Sequence, residues 1–296
     1  MWHSRNSDVL LSDAVLFVEG PSDQRAFELW SEKLNLSLEE HNVTPVQMGS
    51  GSDAVRGNRM RSDVLEGISQ KAPVPHLFVI DRDERSQTEI VKLRETLEER
   101  VYILQRRELE NYLLVPRALL AAIRSKHNTD ATITEKVDAA SNDEIWKILH
   151  TTADSLYDLV LMKRIQAELT GLRGGLLPRE AVADLSHKVN YKRFPSIIRR
   201  KIESRISEHL NTLKINEVVD RIRQSLDIEW SDMSRRLWIA PGEELVVAVF
   251  HHFGSEYKKP NDTLRIAREM KDDEIADEIV DLLGGVIALS NRVKNN

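Results

Sequence analysis

The chain has 296 residues, of which 41% are hydrophobic and 30% charged, and its net charge is −6. That mixture describes a globular protein with a sizeable core and well-solvated helices, and excludes a fibrous or wholly disordered chain. No apolar run approaches the ~20 residues of a membrane helix. The first residues, MWHSRNSD, lack the basic-then-apolar layout of a signal peptide. With no cysteine, disulfides and thiolate metal sites are excluded, and a cytoplasmic protein with no membrane partner is expected. The acidic balance excludes a blanket nucleic-acid coat while leaving room for a local basic patch.

Taken in chain order, the first 125 or so residues alternate between strand-like and helix-like segments. Ala14 to Val18 is a short apolar run closed by Glu19-Gly20-Pro21, as suits a buried parallel strand. Ser22 to Leu34 places Ala26, Phe27, Trp30 and Leu34 at helical spacing. Val43 to Met48 is a weaker strand, followed by Gly49-Ser50-Gly51-Ser52 and a helical stretch to about Ser69. His76 to Ile80 is a third strand. Ser86-Gln87-Thr88-Glu89 has the form of a capping box, which predicts a helix to about Glu99, and Val101 to Leu104 is a fourth strand. Such repetition predicts a parallel sheet covered on both faces, with ligands at the carboxyl ends of the strands.

From about Pro116 the pattern becomes helical. Ser141 to Glu144 reads as another capping box, Gly171 to Pro178 as a break, and Pro195 to Leu213 as an amphipathic helix. A last pair of helices is predicted over Gly242–Phe253 and Asn261–Leu289. The expected architecture is an α/β domain with a parallel sheet flanked by helices over 10–125, followed by a mainly helical lobe over 126–296.

The residues suited to chemistry lie in two acidic loops, VEGPSD (Val18 to Asp23) and VIDRDE (Val79 to Glu84), each after a buried strand. Gathering like charges raises their pKa values and gains a protein nothing structurally. A divalent cation reverses that balance, because magnesium takes oxygen ligands and keeps several waters. Asp81 and Asp83, two residues apart, can reach one ion together, and Glu19 on a neighbouring strand end faces the same crevice. Asp23 sits in the first turn of a helix, where the dipole alone favours a carboxylate, so capping and metal binding stand equal for it. Glu84 and Arg85 read as a solvated loop pair. The adjacent His251 and His252 do not share a helix face and make no zinc site.

VEGPSD followed by IDRDE resembles the two motifs of the Toprim fold, a glutamate after the first strand and an Asp-x-Asp after the third. A third segment, Arg107-Glu108-Leu109-Glu110-Asn111-Tyr112-Leu113, is similar to one found in OLD-family nucleases and in stand-alone Toprim effectors of PARIS-type anti-phage systems. Together the three cover about residues 10 to 120 in the right order. The resemblance implies a magnesium- or manganese-dependent nuclease with one or two ions. It assigns Glu19 as the acid–base or metal-binding glutamate and Asp81 and Asp83 as metal ligands. Asp23 would hold a second ion, and Glu110 would be a further ligand or lie behind one. Asn111 would fix the loop. A late lysine near the site is implied too, with Lys258 and Lys259 as candidates and Lys259 favoured for catalysis. Relatives often carry a lysine after the glycine of Pro241 to Glu244, where this chain has Glu243.

Between His187 and Arg205, Lys188, Lys192, Arg193, Arg199, Arg200, Lys201 and Arg205 stand against Glu203 alone. With Tyr191 and Phe194 interleaved, the stretch suits a surface tracking DNA or RNA phosphates. A solvated helix face or a dock for an acidic partner is the alternative. No phosphate-binding nucleotide loop is present, and the resemblance implies an ABC-type ATPase, fused upstream or as a separate subunit. Dimerisation through the helical lobe is the alternative to that partner. A non-catalytic Toprim module that binds nucleic acid or a partner remains a second reading, and a topoisomerase- or primase-like enzyme a third. Against the third, no tyrosine has a convincing nucleophile context and no zinc module is visible.

Overall fold

The structure is a computed structural model, and it describes residues 11–47, 74–97, 100–170 and 215–294. Four parallel strands form one sheet: β1 (Ala14–Val18), β2 (Val43–Gln47), β3 (His76–Ile80) and β4 (Val101–Ile103). Their order is β2-β1-β3-β4. In register, Ala14 lies opposite Val43, Leu16 opposite Leu77, and Ile80 opposite Ile103. Because β1 and β3 are central neighbours, the two acidic loops that follow them emerge side by side.

Side-chain alternation sorts the sheet into two faces. Ala14, Leu16, Val18 and Val79 enter the main core, while Phe78, Val101 and Ile103 enter a smaller cluster with Ile90 of helix α2 (Gln87–Thr96). Helix α1 (Pro21–Lys33) covers β1 and β2 through Ala26, Phe27 and Trp30, all buried. A single turn of 3₁₀ helix, Leu109–Leu113, follows β4 and leads into α3 (Pro116–Lys126).

Beyond it come α4 (Ala131–Ala139), α5 (Asn142–Ser155) and α6 (Tyr157–Thr170), then α7 (Ile215–Ser231) and α8 (Met233–Ile239). The last three are α9 (Gly242–His252), α10 (Lys259–Glu269) and α11 (Asp277–Lys294). The chain then returns to its beginning. Helix α11 packs on β1, β2 and β3, and α10 packs on α1 and α3. Ile279, Leu283 and Val286 share one buried cluster with Leu16 and Val18, so a single core runs from the sheet through the helices.

The sheet with flanking helices and the helical remainder match the architecture expected from the sequence. One expected element differs. The predicted helix over Asn261–Leu289 is two helices, separated by Met270 in an extended conformation and a short 3₁₀ turn at Asp272–Glu274. The break is tertiary in origin. The carbonyl of Glu269 accepts from Arg117 of α3, and that of Met270 accepts from Lys33 of α1 at 2.9 Å, so orphan carbonyls at the end of α10 are satisfied from outside. At α5 the cap is one-sided. Ser141 Oγ accepts from the amide of Glu144 at 3.2 Å, while the Glu144 carboxylate turns to His252 Nε2 at 3.0 Å. No helix among the described residues is long and apolar enough to cross a membrane. The predicted helix to Ser69, the break at Gly171 to Pro178 and the amphipathic stretch Pro195 to Leu213 lie outside the described residues.

Candidate active site

Each acidic residue is placed by the end of a different element. Glu19 follows β1, and its Oε1 accepts the backbone amide of Asp81, the first residue after β3, at 3.1 Å. Asp23 lies in the first turn of α1, where its Oδ2 accepts the Gly20 amide at 2.8 Å. Asp81 Oδ1 accepts the amide of Leu109 at 3.1 Å, which ties the loop after β3 to the 3₁₀ turn after β4. Asp83 has a left-handed backbone (φ 47°), uncommon outside glycine and tolerated best by Asp and Asn. Its amide donates to the carbonyl of Arg107 at 2.9 Å. Glu110 is buried within the turn.

Two cations reach into this group. Arg85 Nη1 lies 3.1 Å from Asp83 Oδ2 and also bonds the Asp81 carbonyl. Lys259, at the first position of α10, puts Nζ 2.9 Å from Glu110 Oε1 and 3.1 Å from Glu243 Oε2. Burial lowers the affinity of Lys259 for its proton, but the two glutamates outweigh it and hold the ammonium above its ordinary range.

The electrostatics are those of a crowded anionic pocket. Burial, then the charge of Asp83, raises the pKa of Glu19, against the pull of Arg85, the Asp81 amide and Lys259. Burial and then Glu110 and Glu19 push Asp23 up to about 7. Asp81 is raised well above the carboxylate range by burial and by all four acidic neighbours, Glu19, Asp23, Asp83 and Glu110. Such groups cannot all ionise cheaply near neutral pH without a cation among them.

The donor set suits a hard divalent ion, being carboxylate oxygen throughout. Among the described residues, however, no three acidic or histidine side chains stand ready around one point. Arg85 holds Asp83 and Lys259 holds Glu110, so an ion held by Asp81 and Asp83 with Glu19 would have to displace the guanidinium from Asp83. Glu19, Asp23, Asp81, Asp83, Glu110 and Lys259 are thus neighbours in space. Lys258 is not in the group: its Nζ is 3.6 Å from Glu256 and largely exposed. Lys192, Arg193, Arg199, Arg200 and Lys201 lie outside the described residues.

The frame around the site contains residues that sequence reasoning missed or misread. Glu84 and Arg85 are not a solvated pair. Glu84 is ion-paired with Arg107 and both are nearly enclosed, while the Arg85 side chain is only 12% exposed. Arg107 also donates its amide to the Trp238 carbonyl at 2.7 Å, which locks the acidic loops to α8. Glu108 accepts the Glu243 amide at 2.8 Å. Asn111, to which the sequence reading gave the part of fixing the loop, is buried and donates to the carbonyls of Leu237 and Ala240 at 2.8 and 2.9 Å. These partners are 23 to 135 residues apart, so no local pattern marks them. The segment Arg107 to Leu113, legible as a motif, was the available signal.

Residues 10–83 match the family model for the Overcoming lysogenization defect protein-like TOPRIM domain. The chain is also similar to solved structures of the C-terminal region of the Xanthomonas campestris pv. campestris OLD protein. Those phased with platinum, iodine and mercury give TM-scores of 0.41, 0.39 and 0.37, each at 12% identity. They cover 97%, 96% and 95% of this chain and 98%, 98% and 97% of their own. No curated protein matches the chain. The matched segment includes both acidic loops as far as Asp83, and Glu110 and Lys259 lie beyond it. Residues 10–83 of this chain are an OLD-like Toprim domain.

Proposed function

We propose that this Toprim domain cleaves nucleic-acid phosphodiester bonds with magnesium or manganese. An OLD-like Toprim domain carries a nucleic-acid-related function, and Toprim domains generally bind divalent metals. One observation supports the finer reading above the rest. Glu19, Asp81 and Asp83 follow the carboxyl ends of adjacent parallel strands, where each of Glu19 and Asp81 is raised by burial and by its acidic neighbours. When bound, a divalent ion lowers the pKa of a water and stabilises charge on the phosphate. Glu19 would accept or return the proton of that water, Asp81 and Asp83 would hold the ion, and Asp23 with Glu110 would serve a second. Lys259 stands beside Glu110 and would offset charge building up on the phosphate.

The chain's own basic stretch, Lys192, Arg193, Arg199, Arg200 and Lys201, would track the backbone of DNA or RNA. Reversing Arg199, Arg200 and Lys201 to glutamate tests it by the salt slope of binding, which falls by about one for each phosphate no longer neutralised. Restraint by an ABC-type ATPase, fused upstream or separate, would suit an anti-phage effector, and pull-down with and without ATP tests it. Full activity of the isolated chain would defeat the ATPase and leave the catalytic reading in place.

A second reading, a Toprim module that binds without cutting, is favoured by the ion pairs of Arg85 and Lys259 within the acidic group. Plasmid DNA and RNA incubated with magnesium, with manganese or with chelator separate the two. Cleavage that needs the ion supports the first, and metal-independent binding without cleavage supports the second.

A further inference from the structure

A cleft of about 990 Å³ opens next to the site but is lined by none of Glu19, Asp23, Asp81 or Asp83. Its floor is the chain from Gln105 to Pro116 after β4, one wall is α5 with α8, and the other is the 3₁₀ turn and first turns of α11. The α11 wall carries five carboxylates, while Arg106 is the one arginine among the described lining residues.

The carboxylates divide by what they already do. Glu274 pairs with Arg117 at 2.6 Å, and Glu278 accepts the Gln105 amide at 2.7 Å and the Tyr112 hydroxyl. Asp273, Asp277 and Asp281 are exposed, make no side-chain hydrogen bond or ion pair among the described residues, and recur every four residues along one side. The helix dipole favours Asp277 in the first turn, but it gives no reason for Asp281 a turn further on.

The opposite wall is aromatic. Trp238 already carries two guanidinium groups, with Arg106 at 5.3 Å and Arg235 at 5.6 Å from its ring centre, and Arg106 also lies 4.5 Å from Tyr112. Trp146 stacks on the imidazole of His150, at 6.0 Å between ring centres, and remains 38% exposed; Met233 is 56% exposed. An apolar, ring-bearing wall facing free carboxylates across one groove fits a cation on a flexible, partly apolar stem. Arginine is that side chain, since its guanidinium stacks on rings and forks onto carboxylates. Nucleic acid does not fit, because its phosphates would meet the aspartates.

We propose that this cleft docks an arginine-rich segment of a protein partner. The inference does not depend on metal binding or cleavage. The test uses the full chain and a fluorescein-labelled dodecapeptide of alternating arginine and alanine, read by anisotropy and by tryptophan quenching. The triple variant Asp273→Asn, Asp277→Asn, Asp281→Asn is expected to weaken binding by about tenfold or more, or ~1.4 kcal/mol. Trp146→Ala is expected to weaken it by about threefold to thirtyfold and to remove most of the quenching. The control pair Glu39→Gln and Glu40→Gln, exposed and outside the cleft lining, is expected to leave it within about twofold, as for surface charges that are only screened. The proposal is overturned if the wild-type chain does not bind the peptide, or if the control weakens binding as much as the cleft variants. It is also overturned if a single-stranded oligonucleotide quenches the same tryptophan.

Discussion

Glu19 and Asp81 each hold a backbone amide through one carboxylate oxygen, at 3.1 Å in both cases. An amide side chain keeps that acceptor, so Glu19→Gln and Asp81→Asn remove charge without removing the bond. Each variant also relieves repulsion in the acidic group. In chelator, both are expected to melt at or a few degrees above the wild-type temperature by differential scanning calorimetry, and a clear drop would mean that these charges stabilise the fold. Asp23 gives the matching pH dependence. Its carboxyl is raised to about 7 from 3.8 by burial, then Glu110 and Glu19, so the folded state holds this proton across a range in which the unfolded chain has lost it. Its contribution is therefore favourable at low pH and is lost as pH rises from about 4 to about 7. The metal-free protein is expected to lose stability over that interval and Asp23→Asn to flatten the loss, as measured by urea midpoints. Equal slopes in the two proteins would remove Asp23 from the cluster. Metal affinity runs the other way, rising as these carboxyls deprotonate.

Among the elements, α9 shows how closely the helical part must approach the site. A Cβ on Gly242, at its first position, would come within 2.6 Å of the Asn111 amide and 2.9 Å of its side chain. Asn111 is fixed by its bonds to Leu237 and Ala240 and cannot yield. Gly242→Ala is expected to cost about 1–3 kcal/mol in urea unfolding, as overpacking in a tight core does; a neutral substitution would show that the turn and α9 are not closely packed. The elements differ in how far the sequence announced them. β1 and β3 were legible because a short apolar run closed by Gly-Pro or by charge suits a buried parallel strand. The 3₁₀ turn at Leu109–Leu113 is legible as a motif, but its role as the hinge-pin between Asp81 and α8 is not. The end of α10 was hard to see, since EMKDDE contains no glycine or proline and the carbonyls at the helix end are satisfied by Arg117 and Lys33 from distant elements. Lys259 could be named as one of two lysines, and only the packing of α10 on α1 and α3 brings it, rather than Lys258, beside Glu110.

For the whole molecule, the return of α11 to the sheet joins the first strand to the last helix. Leu283 is wholly buried and clusters with Leu16 and Val18. Leu283→Ala is expected to cost about 2–5 kcal/mol and to lower the unfolding of the sheet and the helices together, in one transition. Two transitions, with only the helical one shifted, would mean that the sheet is stable without α11. The same closure carries Lys259 and Glu243 to the carboxyl ends of the strands, so the proposed chemistry draws on both ends of the chain. Nicking of supercoiled plasmid in manganese tests that chemistry most directly, with wild-type protein and Asp81→Asn compared at equal concentration. Ion-dependent nicking by the wild type and about a hundredfold or greater loss in the variant are expected, in line with removal of a group that acts in the transition state. Equal nicking by both proteins, or nicking that persists in chelator, would contradict a metal-dependent centre at Glu19, Asp81 and Asp83.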